Sequence, residues 1–340
     1  MTNSHKSTVS DLREHALIAR IAKRLDPAPA SVIVGIGDDA AVVESDRGML
    51  SAVTTDSLVD GIHIDRTFTP PRDIGHKALA VSLSDLAAMG ATPRYALLSL
   101  ALPPTLLILD LDAILDGLVS LADRHQITLI GGNVTQSPEP LFIEVTALGS
   151  VKRRRILTRS NAKHGDELYL SGHIGGAAAG LGWLQQSQDL SEPDAFAICR
   201  QRYLRPEPRV RLGTLLGHNR VTHTCIDLSD GLADAVSQLA SASGVGIEID
   251  AERLPIEPEA RTWFKQHDLD PIDSGLAAGE DYELLFTVSP TARRRLTAVQ
   301  RLLKNLPLTR IGRVTEHKEI VVQRNGKHAP LPAGYEHFQK

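Results

Sequence analysis

Two short runs of Val, Ile and Thr, each breaking into carboxylates and glycine, constrain this chain more than any other feature. The first reads Ile33-Val34-Gly35-Ile36-Gly37-Asp38-Asp39-Ala40-Ala41-Val42-Val43. The second is Leu50-Ser51-Ala52-Val53-Thr54-Thr55-Asp56-Ser57-Leu58-Val59-Asp60-Gly61-Ile62-His63. Runs of this kind predict buried strands whose ends open into a polar site. A carboxylate at a strand end is held rigidly and can still reach a cation. Carboxylates gathered without matching bases suit hard, oxygen-seeking ions such as Mg²⁺.

The same pattern recurs downstream. Residues 74–89 read as a helix of small apolar residues, stopped by Gly90 and Pro93. It is apolar nearly all round, which predicts burial between layers and makes its one acid near the C-terminal end, Asp85, conspicuous. A strand over Tyr95–Leu102, a helix over Leu106–His125, a strand over Ile127–Ile130 ending in Gly131-Gly132-Asn133, and an alternating strand over Phe142–Val151 follow. Lys152-Arg153-Arg154-Arg155 then marks a boundary, giving expected domains of residues 1–152 and 153–340. The second half opens with a strand over Asp166–Leu170 and a glycine-rich helix entry from Gly172 to Gly180. It continues with Cys225-Ile226-Asp227-Leu228-Ser229-Asp230-Gly231 turning into a helix, and Gly279-Glu280-Asp281 leading into a strand over Tyr282–Val288. Strands alternating with helices predict an α/β or α+β protein of two domains.

Composition narrows the function classes. The chain has 340 residues, 42% of them hydrophobic and 23% charged, with a net charge of −4, so no global charge points to nucleic acid or an anionic membrane as partner. The N-terminal residues lack the apolar centre of a signal peptide, and no apolar run reaches the roughly 18 residues of a spanning helix. The expectation is a cytoplasmic protein. Cys199 and Cys225 form no CxxC and have no His pair at ligand spacing, which argues against zinc and against a disulfide framework.

The candidate constellation is therefore Asp39, Asp56, Asp85, Asp227 and Asp230. One Asp beside Gly usually marks a turn, because its side chain bonds to its own backbone. Burying five together without cations costs several kcal/mol each, and divalent metal resolves this most simply. Other features carry two readings. The segment from Gly172 to Gly180 is neither GxGxxG nor a P-loop; close helix packing or phosphate contact would each explain it. Lys152–Arg155 reads as a solvated strand end more readily than as a phosphate clamp. His63 is equally a surface histidine, and Glu280 on its own reads more readily as a cap or turn residue than as a site residue.

Assembled, these residues resemble the thiamine-monophosphate kinase family, of the superfamily that also contains aminoimidazole ribonucleotide synthetase and selenophosphate synthetase. The resemblance rests on Gly35-Ile36-Gly37-Asp38-Asp39, Thr54-Thr55-Asp56 with His63, and Lys77–Ala91 containing Ser82-Leu83-Ser84-Asp85. It extends through Leu157-Thr158-Arg159-Ser160, Ile226–Gly231, Gly279-Glu280-Asp281-Tyr282-Glu283-Leu284 and Gly334-Tyr335-Glu336-His337-Phe338. It implies a homodimer paired through N-terminal-domain sheets, a C-terminal α/β sandwich domain, and ATP with several Mg²⁺ ions bound between the domains. By the same resemblance the five aspartates organise metal, with Thr54 and Thr55 as further oxygen ligands. Gly132, Arg159 and Ser229 contact ATP, and His63, Glu280 and Tyr335 contact thiamine monophosphate. One position departs: the family's Gly-Gly-Asp is Gly131-Gly132-Asn133 here, so Asn133 offers a carbonyl oxygen to nucleotide or metal without the charge, and an ion there should be held less tightly.

The implied reaction is transfer of the γ-phosphoryl group of ATP to thiamine monophosphate, giving ADP and thiamine diphosphate, the last step of thiamine diphosphate biosynthesis. The acceptor is a phosphate monoester with a second pKa of about 6, already ionised near neutrality, so no protein base is needed and no side chain is expected to act as acid, base or nucleophile. Another ATP-dependent synthetase of the superfamily, or a regulator that binds nucleotide or thiamine phosphate without turnover, are the alternatives. Gly279-Glu280-Asp281-Tyr282 and Gly334-Tyr335 favour the kinase.

Overall fold

A computed structural model describes residue 8 and residues 20–34, 42–43, 47–186 and 196–332. The chain separates into two compact units, one of residues 1–86 and 92–152, the other of residues 87–91 and 153–340. Asp39 and Tyr335 lie outside the described residues.

In the first unit β1 (Val32–Val34) and β2 (Val42–Val43) form a small antiparallel pair. The main elements are β3 (Leu50–Val59), α1 (Pro71–Ala88), β4 (Thr92–Leu102), α2 (Ile108–His125), β5 (Thr128–Gln136) and β6 (Phe142–Val151). The strands make one sheet in the order β3-β6-β4-β5, antiparallel except for the parallel pair β4–β5. Helix α1 is buried almost all round, as its uniformly apolar sequence requires: Leu79, Leu83 and Leu86 are at most 1% exposed. It reaches the sheet through the Ser82 hydroxyl, which donates to the Val145 carbonyl at 3.1 Å.

The main departures from the sequence expectation are in the strands: the one expected over Tyr282–Val288 starts only at Leu284, leaving Tyr282 outside it, while β3 and β5 run on past the points expected to end them. Strand β3 does not stop at Asp56 but continues to Val59, because the alternation resumes in Ser57-Leu58-Val59 and pairs residue for residue with β6. Asp56 is therefore an inward-facing residue of a strand, not its end. Strand β5 likewise runs through Gly131-Gly132-Asn133, with Gly132 opposite Leu98 and Asn133 opposite Ser99. As an edge strand it has one neighbour to satisfy, and it tolerates glycine there. A Cβ on Gly132 would lie 1.8 Å from the Leu98 carbonyl oxygen, so the two strands meet at this point only because the residue has none.

The second unit contains β7 (Glu167–Ser171), α3 (Gly176–Gln186), α4 (Ala197–Leu204), α5 (Val210–His218), β8 (Cys225–Asp227), α6 (Leu232–Ser243) and β9 (Gly246–Asp250). It continues with α7 (Pro258–Gln266), α8 (Pro271–Ala277), β10 (Leu284–Val288), α9 (Arg293–Leu303), β11 (Leu308–Thr315), β12 (Ile320–Arg324) and β13 (Lys327–Pro330). Its seven-stranded sheet has the order β13-β12-β9-β11-β7-β10-β8, with only β12–β9 parallel. Every residue of β10 is buried, and its continuous Leu-Leu-Phe-Thr-Val run is what a strand covered on both faces needs. Its core includes Leu168, Leu170, Ile226, Leu285 and Ile311 from the sheet, with Val236 and Leu239 from α6 and Trp263 and Phe264 from α7. Among the described residues no helix is long and apolar enough to cross a membrane. The architecture is thus mixed α/β in two units.

Candidate functional site

The first unit gathers its oxygen donors where β3 faces α1. With a period of two, Thr54 and Asp56 point to the helix side and Thr55 to the other. The Thr54 hydroxyl donates to Asp85 Oδ2, and Ser82 Oγ donates to Asp56 Oδ2 at 2.9 Å. Ser82 and Asp85 are three apart on α1, so one helical turn meets both strand residues. Burial, and then the neighbouring Asp85 charge, push Asp56 up to about 6, with the Ser82 hydroxyl pulling the other way. Two neighbouring carboxylates beside a threonine hydroxyl form an all-oxygen donor set of the kind a hard divalent cation takes. Thr55 turns away: its hydroxyl lies 3.1 Å from that of Thr146 and 3.5 Å from Glu144 Oε1 on the opposite face. Any part Thr55 takes in the Asp56 group falls to its backbone.

His63 belongs to the turn after β3. Its Nδ1 accepts from the Val59 amide at 3.2 Å, which leaves the proton on Nε2, and its carbonyl accepts from the buried Lys77 Nζ at 3.3 Å. On β5, Gly132 and Asn133 are exposed.

The second unit places its acids at the end of β8. Asp227 closes the strand, 5% exposed, and Ser229 and Asp230 sit in the turn that enters α6, with Ser229 Oγ 3.5 Å from Asp230 Oδ2. Arg159 approaches from a parallel bridge between Thr158 and Thr224, just before β8, and its guanidinium donates to Gln238 on α6. Glu280 lies against the same turn, its amide donating to the Ser229 carbonyl at 2.6 Å, while the Tyr282 amide donates to the Leu228 carbonyl at 2.9 Å. Sequence spacing gave no hint of this pairing, since some fifty residues separate the two segments; only the antiparallel register of β8 with β10, Asp227 opposite Leu284, brings them together.

Three further groups come from the structure and not from the sequence. Ser82 is one. The second is Asp281, which accepts from the Gly175 amide at 2.6 Å and the Ala177 amide at 3.1 Å, closing the N-terminus of α3. The amides at the start of the glycine-rich segment already hold a protein carboxylate, and further along a Cβ on Gly180 would stand 2.1 Å from the Cys199 carbonyl oxygen of α4, so close helix packing is observed there. The third is Glu283, fully buried, which receives Arg209 Nε at 2.7 Å, Arg202 Nη1 at 3.2 Å and the Ser171 hydroxyl at 2.6 Å. A Cβ on Gly172 would stand 1.9 Å from its Oε1, so glycine is required beside it. Burial works to raise Glu283, but the two arginines and these hydrogen bonds outweigh it and hold the carboxyl below its ordinary value. The available signal was an acid inside the apolar run Tyr282-Glu283-Leu284-Leu285-Phe286, which demands a buried cation as partner.

Among the described residues, neither unit alone collects three or more His, Cys, Asp or Glu side chains in one place. Asp56 and Asp85 belong to the first unit, where threonine oxygen accompanies them, and Asp227 and Asp230 to the second.

Comparison with known proteins places these features. The description of the AIR synthase related protein N-terminal domain matches residues 37–151, and that of the C-terminal domain matches residues 163–325. Thiamine-monophosphate kinase of Bacillus subtilis strain 168 is 37% identical over 319 residues, covering 91% of this chain and 95% of the relative. Thiamine-monophosphate kinase of Escherichia coli K12 is 37% identical over 342 residues, covering 96% and 98%. The crystal structure of thiamine-monophosphate kinase from Stenotrophomonas maltophilia K279a superposes with a TM-score of 0.81 at 40% identity, over 94% of this chain and 98% of that one. A ThiL structure complexed with AMPPCP and TMP gives a TM-score of 0.77 at 32% identity, over 98% and 99%.

Proposed function

This chain belongs to the thiamine-monophosphate kinase family of AIR synthase related proteins, and on that premise we propose that it transfers the γ-phosphoryl group of ATP to thiamine monophosphate, forming thiamine diphosphate and ADP. The observation that carries the reading on this chain's own residues is the group of Thr54, Asp56 and Asp85. A half-buried carboxylate pushed up to about 6 near a second one is a place where positive charge is favoured.

In this reading the first unit holds Mg²⁺ through Asp39, Thr54, Asp56 and Asp85, with Thr55 and Asn133 offering carbonyl oxygens. The second unit does so through Asp227 and Asp230. When bound, Mg²⁺ offsets the charge of two phosphate groups that would otherwise repel each other. The protein's own part is to position. Gly132, Asn133, Arg159 and Ser229 contact ATP, and the exposed guanidinium of Arg159 is free in geometry to swing from Gln238 toward a phosphate. His63, with its Nε2 proton fixed by the Val59 amide, donates to the acceptor phosphate, and Glu280 and Tyr335 contact the thiamine portion. The acceptor is already ionised, so transfer is direct and needs no phosphorylated side chain. The enzyme works in the cytoplasm, where ATP is supplied. It is a homodimer through the face of the β3-β6-β4-β5 sheet that carries Val53, 63% exposed, with Leu97, Phe142 and Leu148 half-buried on the same face.

Measuring ADP release with Mg-ATP, with and without thiamine monophosphate, tests the assignment. The expected result is release that depends on thiamine monophosphate and yields thiamine diphosphate in equal amount. Release indifferent to thiamine monophosphate would make the protein a different synthetase of the family, and binding without release would make it a regulator.

A further inference from the structure

Residues 280–283 combine two features that rarely occur together. Glu280 and Tyr282 both have left-handed backbones, with φ of 65° and 48°, in a segment where neither is glycine. Conformations of this kind persist only where the surroundings over-determine them, and an observed outlier of this sort is a reason to look for function. Here the surroundings are the two residues that alternate with them. Asp281 is 5% exposed and grips the Gly175 and Ala177 amides at the start of α3. Glu283 is fully buried between Arg202 and Arg209, with Ser171 on the same carboxylate. Arg202 is itself tied down, its Nη1 donating to the His173 carbonyl at 3.3 Å and its Nε lying 3.4 Å from Glu257.

The chemistry proposed above uses neither carboxylate. Both are spent on structure, at a cost in desolvation that hydrophobic residues would not incur. What they secure is the turn itself, pressed onto the segment that carries Asp227, Ser229 and Asp230. The Glu280 amide reaches the Ser229 carbonyl at 2.6 Å, the Tyr282 amide the Leu228 carbonyl at 2.9 Å, and the Leu228 amide the Glu283 carbonyl at 2.9 Å.

We propose that Asp281 and Glu283 are positioning residues for the acceptor: anchored to α3 and to the Arg202–Arg209 pair, they hold the left-handed turn that fixes Glu280 in register with Ser229. The inference rests on Glu280 being an acceptor contact. It assigns to the buried pair a role in recognising the thiamine portion of the substrate, distinct from holding nucleotide or metal.

The test compares the full-length wild type with Asp281→Asn and, as a second perturbation, Arg209→Lys, which keeps the charge but loses the planar two-point grip on Glu283. The expected result is a KM for thiamine monophosphate raised roughly tenfold in each variant, with the KM for ATP changed by less than about twofold. In a Glu280→Ala background Asp281→Asn should raise the thiamine monophosphate KM no further, since the group it positions is gone. Amide hydrogen exchange supplies a readout that needs no turnover: the Glu280 and Tyr282 amides should exchange about tenfold faster in the variants, with the amides of α6 unchanged. A parallel rise in both KM values, additive loss in the double variant, or exchange that accelerates across the whole unit would overturn the proposal. Should the wild type not turn over thiamine monophosphate at all, the kinase reading fails by itself, and the exchange measurement still decides whether these residues hold the turn.

Discussion

Replacing Asp281 with Asn removes one ionisable group from the interior of the second unit, and the consequence for stability can be worked through. Burial pushes Asp281 from an ordinary 3.8 up to about 7, even though the Gly175 and Ala177 amides and Arg202 favour its charge. An acid whose folded-state value is raised binds its proton more readily folded than unfolded. Its contribution is therefore whole below the unfolded value and is lost as the pH rises through the folded one. From about pH 5 to about pH 8 that loss amounts to about 2.5 kcal/mol, from a shift of roughly three units at about 1.4 kcal/mol each that is only partly expressed over this range. The assay is urea unfolding followed by tryptophan fluorescence. Trp183 and Trp263 are the chain's only tryptophans and both belong to the second unit, so the signal reports that unit alone. Wild type should lose about 2.5 kcal/mol more than Asp281→Asn across this range, with the denaturant slope unchanged. The same pH dependence in both proteins would show that Asp281 does not titrate in this window, and the account of its burial would be wrong.

Other outcomes follow from the site. Asp227→Asn should abolish turnover while leaving the fold intact by circular dichroism. Asn133→Asp should lower the Mg²⁺ concentration at half-maximal rate; an unchanged value would remove this residue from the ion's surroundings. Thr54→Val should raise that concentration several-fold and Thr55→Val should leave it nearly unchanged, because only the Thr54 hydroxyl stands beside Asp85. Equal effects of the two would contradict the facing assigned to β3. Gly132→Ala should weaken ATP binding and destabilise the first unit by more than about 1 kcal/mol, since its methyl group meets the Leu98 carbonyl; a neutral substitution would mean that β5 can shift aside.

How far the sequence could be read depended on the range of the interactions involved. The buried helix α1 with its one conspicuous acid, the strand–Asp–turn–helix unit from β8 to α6, and the alternating β6 were legible because local periodicity reports burial directly. The extent of β3 and β5 was not: carboxylate and glycine look like strand endings until the partner strands that satisfy them are known. Helices α4, α7 and α8 went unread, each short and with α7 and α8 both opening on proline, where loop and helix start share the same residues. The five aspartates were visible one by one and the family resemblance named Thr54 beside them, but Ser82, whose hydroxyl meets Asp56, is an unremarkable polar residue in such a run until it is found facing the strand. The clamp on Glu283 was hidden for the same reason. Its arginines lie some seventy to eighty residues away, and no spacing rule connects them.

Rapid-quench analysis with ATP labelled at its γ-phosphate tests the central claim most directly. Label should pass to the terminal phosphate of thiamine diphosphate at the rate ATP is consumed, only when Mg²⁺ and thiamine monophosphate are both present, and none should appear on protein. Label trapped on the polypeptide, or transfer that survives removal of divalent cation, would contradict the account.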